Sequence, residues 1–174
     1  QLDIEMSFMS SDEICQLMES MVKSLVKQTI GKDLEDFPEM SYDDALAYYG
    51  TDAPNLSNPL RLVPMDEGFS DCGFEVFQAP AKHDGSRVAA LKVPGAVEKM
   101  TRKDLDRYTE LVVKLGAKGL AYIKVNDVSD LESGLNSPIL KFLSKAHIEK
   151  VIKAVDAQDG DMIFFGAGES KLVN

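Results

Sequence analysis

The sequence predicts an α+β protein: a two-layer α/β sandwich with helices on one face of a small, mostly antiparallel sheet, preceded by a strand-helix piece of separate character. Three observations carry this reading. Over residues 73–165, short runs rich in Val, Ile, Leu and Phe alternate with longer segments of helical apolar spacing. Serine or threonine followed three residues later by an acid marks helix starts at Ser10–Glu13, Ser41–Asp44 and Thr101–Asp104. Charge is divided unevenly, with 4 basic and 14 acidic residues in 1–70 but 15 of each in 71–174. That shift, and the prolines and Asn/Asp residues between Gly50 and Gly68, set the expected domains at 1–68 and 69–174.

The elements follow in order. Leu2, Ile4, Met6 and Phe8 alternate with Gln1, Asp3, Glu5 and Ser7, which predicts a strand with one apolar and one polar face. Ile14, Leu17, Met18, Met21, Leu25 and Val26 then predict an amphipathic helix over 11–29, ending near Gly31. A short helix runs from Ser41 to Gly50. Residues 73–79 and 87–93 read as two strands, with Asp84-Gly85 signalling a hairpin between them. Leu105, Tyr108, Val112 and Leu115 are the expected buried stripe of a helix closed by Gly116. Residues 120–125 form a third strand. Ser137-Pro138 opens a helix carrying Ile139, Leu143, Ile148, Val151, Ile152 and Val155, with a break near Ser144, and 162–165 make a fourth strand.

Composition excludes several classes. The chain has 174 residues, 44% of them hydrophobic, and a formal net charge of −10. No apolar run approaches the roughly 18 residues of a membrane span, and no basic segment leads into an apolar one as in a signal peptide. The expectation is a cytoplasmic protein with no membrane partner. Two cysteines, Cys15 and Cys72, are too few for a metal cage and read as reduced, buried thiols. A first residue of Gln rather than Met suggests a piece of a longer protein.

Candidate chemistry is sparse. His83 and His147 have no second histidine or cysteine at ligand spacing, so no metal site is expected and both read as surface histidines. The stretches at Gly95, Gly116–Gly119 and Gly166–Gly168 fit no phosphate-binding pattern. Asp3 and Glu5 stand about 7 Å apart on one strand face. That spacing suits an ammonium group, Mg²⁺ or an acid/base pair, and equally a solvated sheet face. Arg102, Lys103, Arg107 and Lys114 can meet phosphates, although Asp104, Asp106 and Glu110 interleave with them as on a salt-bridged helix surface.

Several ordered motifs carry a resemblance. Gln1-Leu2-Asp3-Ile4-Glu5-Met6-Ser7-Phe8 resembles the second strand of motif 2 in class II aminoacyl-tRNA synthetases of the aspartate group, in their bacterial form. Tyr49-Gly50-Thr51-Asp52-Ala53-Pro54-Asn55-Leu56-Ser57 resembles a later stretch of that family. Residues 87–95, 116–126, 137–138 and 159–167 resemble, in order, landmarks of its inserted GAD domain.

The resemblance implies a parent enzyme that joins aspartate to tRNA through aspartyl-adenylate. It implies ATP and Mg²⁺ for that parent, none bound to this piece, and a homodimer. It places Gln1 and Asp3 against the amino acid; Arg102, Lys103 and Arg107, read from the charge pattern of their helix, are the candidate tRNA contacts. The family's motif 2 arginine, motif 3 and anticodon-binding barrel have no counterpart in these residues, so the piece is expected to be inactive, with the GAD domain a scaffold or tRNA-docking module. Ala53, Asn55 and Ser57 stand where the family usually has Lys, Asp and Arg. The alternative is a GAD-type binding subunit of a tRNA-dependent amidotransferase. An unrelated hydrolase using Asp3 and Glu5 would show turnover in the isolated chain.

Overall fold

The computed structural model describes residues 2–174. Contacts divide the chain into two compact units, Gln1–Met40 and Ser41–Asn174.

In the first unit, residues 2–9 form no strand, contrary to their alternation. A strand needs a partner for its backbone N–H and C=O groups, and among the described residues none pairs with this segment. The backbone instead bends at Phe8, whose φ of 62° lies in the left-handed region. Gln1 lies outside the described residues. The helix that follows, α1 (Ser11–Ile30), starts and stops where the sequence places it. Ser10 Oγ accepts from the Glu13 N–H at 3.3 Å, and Glu13 Oε2 accepts from the Ser10 N–H at 2.7 Å. Gly31, at φ 71°, closes the other end by donating its N–H to Lys27 O. Residues 33–37 return along α1, held by Lys23 between Glu19 and Asp36 at 2.6 Å each and by the Phe37 N–H on Glu19 Oε1.

The second unit is built on a five-stranded sheet. Its elements are α2 (Tyr42–Tyr49), β1 (Leu62–Pro64), α3 (Asp66–Phe69), α4 (Glu75–Lys82), β2 (Ser86–Val93), α5 (Ala96–Lys99), α6 (Arg102–Lys114), β3 (Ala121–Val125), β4 (Leu135–Asn136), a 3-10 turn (Leu140–Phe142), α7 (Lys145–Ala154), β5 (Met162–Glu169) and α8 (Ser170–Val173). The strand order is β1-β2-β5-β3-β4, every neighbour antiparallel. This is the small antiparallel sheet in a mixed α/β unit that the sequence predicts.

Register decides what each face buries. Ala90 pairs with Phe165 and Ile163 with Ile123, so Val88, Ala90, Phe165, Ile163, Ile123 and Val125 share one face. There they pack with Phe69 of α3, Phe77 of α4 and Val151 of α7. Phe69, Phe77 and Phe165 form an aromatic cluster with ring centroids 4.9–6.1 Å apart. The opposite face carries Leu91, Val93, Tyr122, Met162 and Phe164, covered by Ala96 of α5 and Leu105 of α6. Helices therefore lie on both faces, not on the single face the sequence predicts, because the second face also carries apolar side chains that α5 and α6 cover; the larger core lies beneath α3, α4 and α7.

Five local expectations are corrected. Residues 75–82 are helix α4, not a strand, because Phe74, Phe77 and Ala81 present one side at helical spacing to the core. On α6 only Leu105 is buried, while Tyr108, Leu111 and Leu115 are exposed. Ser137-Pro138 opens no long helix; the 3-10 turn intervenes and α7 starts after its cap, Ser144. Cys15 is exposed on α1 and only Cys72 is buried. Residues 41–68, grouped with the first module on charge, lie in the second unit, where β1 joins the sheet.

Candidate functional site

Thr101 fixes the start of α6: its Oγ1 accepts from the Asp104 N–H at 3.3 Å and donates to Asp104 Oδ2 at 2.6 Å. The Asp104 carboxyl, which also accepts the Thr101 N–H at 2.9 Å, is held below its ordinary pKa by these hydrogen bonds, the side-chain one foremost. That acid is thus engaged at the helix terminus. With successive residues about 100° apart, Lys103, Arg107 and Lys114 form one stripe. Asp106 and Glu110 form a second stripe beside it, and Arg102 projects to the far side of that pair. Arg102, Lys103 and Arg107 are all exposed, and none forms an ion pair among the described residues. The structure brings Lys103 and Arg107 together and leaves Arg102 apart. The exposed apolar residues Leu111 and Leu115 flank the basic stripe.

At the other proposed site, Asp3 and Glu5 are exposed in a segment without regular structure. Among the described residues no group of three or more His, Cys, Asp or Glu side chains is placed to hold a metal.

The structure gives His147 partners that sequence spacing did not reveal. Its Nε2 lies 3.0 Å from Asp71 Oδ1 and its Nδ1 2.6 Å from Ser144 Oγ. The hydrogen bond to His147 holds the Asp71 carboxyl below its ordinary pKa. Ser, His and Asp in a line suggest nucleophilic catalysis, but Ser144 also accepts the His147 N–H at 3.4 Å as the N-cap of α7. Its hydroxyl closes a helix start, and the trio reads as a tether between α7 and the loop after α3.

The glycine turns are structural too. The Gly95 N–H donates to Asp161 Oδ1 at 3.0 Å and the Val97 N–H to Gly160 O at 2.9 Å. Those amides are not free to cradle an anion. Gly166 makes room for α8, since a Cβ there would lie 3.0 Å from Val173 Cγ1.

Comparison with known proteins now bears on this unit. The GAD domain family matches residues 77–174, more than half of the chain. The chain belongs to the GAD domain family. The match takes in the sheet from β2 onward, α6 and α8. Over its whole length the chain is also 47% identical to the aspartate--tRNA(Asp/Asn) ligase of Legionella pneumophila (strain Corby) and 49% identical to that of Ruthia magnifica subsp. Calyptogena magnifica. It spans 29% of the length of these relatives. The family resemblance read from the motifs is thereby borne out, GAD domain included.

Proposed function

We propose that this chain is a segment of an aspartate--tRNA ligase, in which the GAD domain accompanies part of the catalytic core. The observation that carries the reading is that the likeness to ligases so named extends through residues 1–76, outside the GAD match. A free-standing amidotransferase subunit has no need of those residues. The parent reaction couples aspartate to ATP, forming aspartyl-adenylate, and passes the aspartyl group to tRNA. In this reading ATP and Mg²⁺ serve the parent enzyme. The apolar side of α1 supports the reading: Leu17, Met21 and Leu25 are exposed, as on a helix made to pack against more protein. Gln1 and Asp3 would lie near the amino acid in the assembled parent, a carboxylate there countering the substrate ammonium. The parent is a homodimer in this reading and works in the cytoplasm.

Within the GAD domain, the Lys103–Arg107 stripe is the proposed tRNA contact, through phosphates rather than bases. Fluorescence anisotropy of the chain with labelled aspartate tRNA, at about 50 and 200 mM salt, tests it. Binding should weaken steeply at the higher salt. Lys103→Glu with Arg107→Glu should lower affinity roughly tenfold or more and flatten the salt slope by about two. Binding that ignores both salt and the double variant, or none at tens of micromolar, would remove the docking role.

A further inference from the structure

Arg87 is the buried cation of the second unit, 9% exposed at the start of β2, and among the described residues it has no carboxylate in ion-pair contact. Its guanidinium instead gathers acceptors from two distant parts of the chain. Nη1 donates to Leu46 O at 3.2 Å and to Asn174 Oδ1 at 2.7 Å, and Nη2 donates to Ala47 O at 2.7 Å. Leu46 and Ala47 belong to the last turn of α2, at the negative end of the helix dipole, where the Leu46 carbonyl also accepts the Gly50 N–H at 3.1 Å. A forked cation suits that place better than a point charge, because one rigid plane can reach several acceptors at once. Beside it, Gly50 approaches Asn174 so closely that a Cβ would lie 2.5 Å from the Asn174 carbonyl oxygen. Arg61 stacks over Tyr48 and Tyr49, with ring centroids 4.4 and 5.6 Å away, and secures the same turn from the connecting segment.

A buried charge whose nearby acid, Asp66, makes no ion-pair contact with it is a poor stabiliser compared with a well-packed apolar side chain. What it provides here is connection. We propose that Arg87 is a positioning residue: it latches the end of α2 to α8 at one point on the sheet, so that residues 42–50 and 170–174 open and close as one piece. In a longer ligase, which is where this consequence rests on the proposed function, the latch would fix the direction in which the GAD domain is held. The latch itself needs only the geometry of this unit.

Hydrogen exchange of the 174-residue chain, resolved by segment, tests it without tRNA and so independently of the docking proposal. Arg87→Met should accelerate exchange of the hydrogen-bonded amides in 42–50 and 170–174 by about tenfold, leaving those of 88–91 and 162–165 unchanged. Asn174→Ala, a change at an exposed residue, should release 170–174 while α2 stays protected by its two carbonyl bonds to Arg87. Unchanged exchange in 42–50 of Arg87→Met, or acceleration spread equally over the sheet, would overturn the latch. Should Arg87→Met fail to fold, wild-type exchange at 170–174 in Asn174→Ala would overturn it alone.

Discussion

Gly134 shows how a single missing side chain can hold a loop. A Cβ there would collide with the Asp127 carbonyl oxygen and lie 2.5 Å from that of Asp130. These are backbone atoms, unable to turn aside as a side chain could. The same residue donates its N–H to Asp130 O at 2.7 Å and accepts those of Asn126 and Asp127, closing the loop onto β4. Gly73 is the useful contrast: its φ of 70° favours glycine, but nothing lies within 4 Å. Gly134→Ala should therefore cost about 3 kcal/mol through overpacking, and Gly73→Ala only about 1 kcal/mol for its backbone conformation. Urea unfolding of both variants checks this; equal costs would mean that the 127–134 loop yields freely. Neither residue's environment is legible in sequence, because the crowding at Gly134 comes from its own loop folding back.

At the scale of elements, legibility followed local chemistry. The boundaries of α1, α2 and α6 are written in Ser10–Glu13 with Gly31, Ser41–Asp44 with Gly50, and Thr101–Asp104, pairs that satisfy helix ends using neighbours in the chain. Thr101→Ala should cost about 1 kcal/mol, read from thermal unfolding of the GAD domain. The cap also has a pH sign. Because the folded-state pKa of Asp104 is depressed, its contribution is present above the ordinary carboxylate pKa and lost as pH falls through the lowered value. Thr101→Ala should therefore weaken the protein most near neutrality, with the gap to wild type narrowing in acid. A gap independent of pH would place the role of Thr101 outside the cap.

Where partners are distant, the same local signals misled. Residues 73–79 are rich in Phe and Val like a short strand, yet a run this short fits either period, and the core beneath Phe69 and Phe165 selects the helix. The edge strands β1 and β4, three and two residues long, are set by register with β2 and β3 rather than by any pattern of their own. Arg87 did leave a trace, as a cation directly before the apolar run 88–91, but its acceptors at 46, 47 and 174 are visible only once the sheet has formed. On α6 the basic stripe was readable and the exposure of Leu111 and Leu115 was not, since helical spacing does not say whether a partner is present.

For the whole chain, the distribution of buried side chains carries the last prediction. Among the described residues every buried hydrophobic side chain, from Ala45 to Phe165, falls in Ser41–Asn174, whereas α1 buries none of its own. A domain's stability comes chiefly from apolar area removed from water. Residues 41–174 should accordingly fold alone, with the five-stranded sheet intact and a melting temperature within a few degrees of the complete chain. Residues 1–40 should be only partly helical, since an isolated helix of this length is marginal in water even with good caps and surface ion pairs. Far-UV circular dichroism and thermal melts of the two pieces decide the matter. A 41–174 piece that fails to melt cooperatively would mean that residues 1–40 supply stability beyond what their own burial indicates. Cooperative melting of that piece would mean that the GAD domain and its latch can be studied apart from the acidic N-terminal unit.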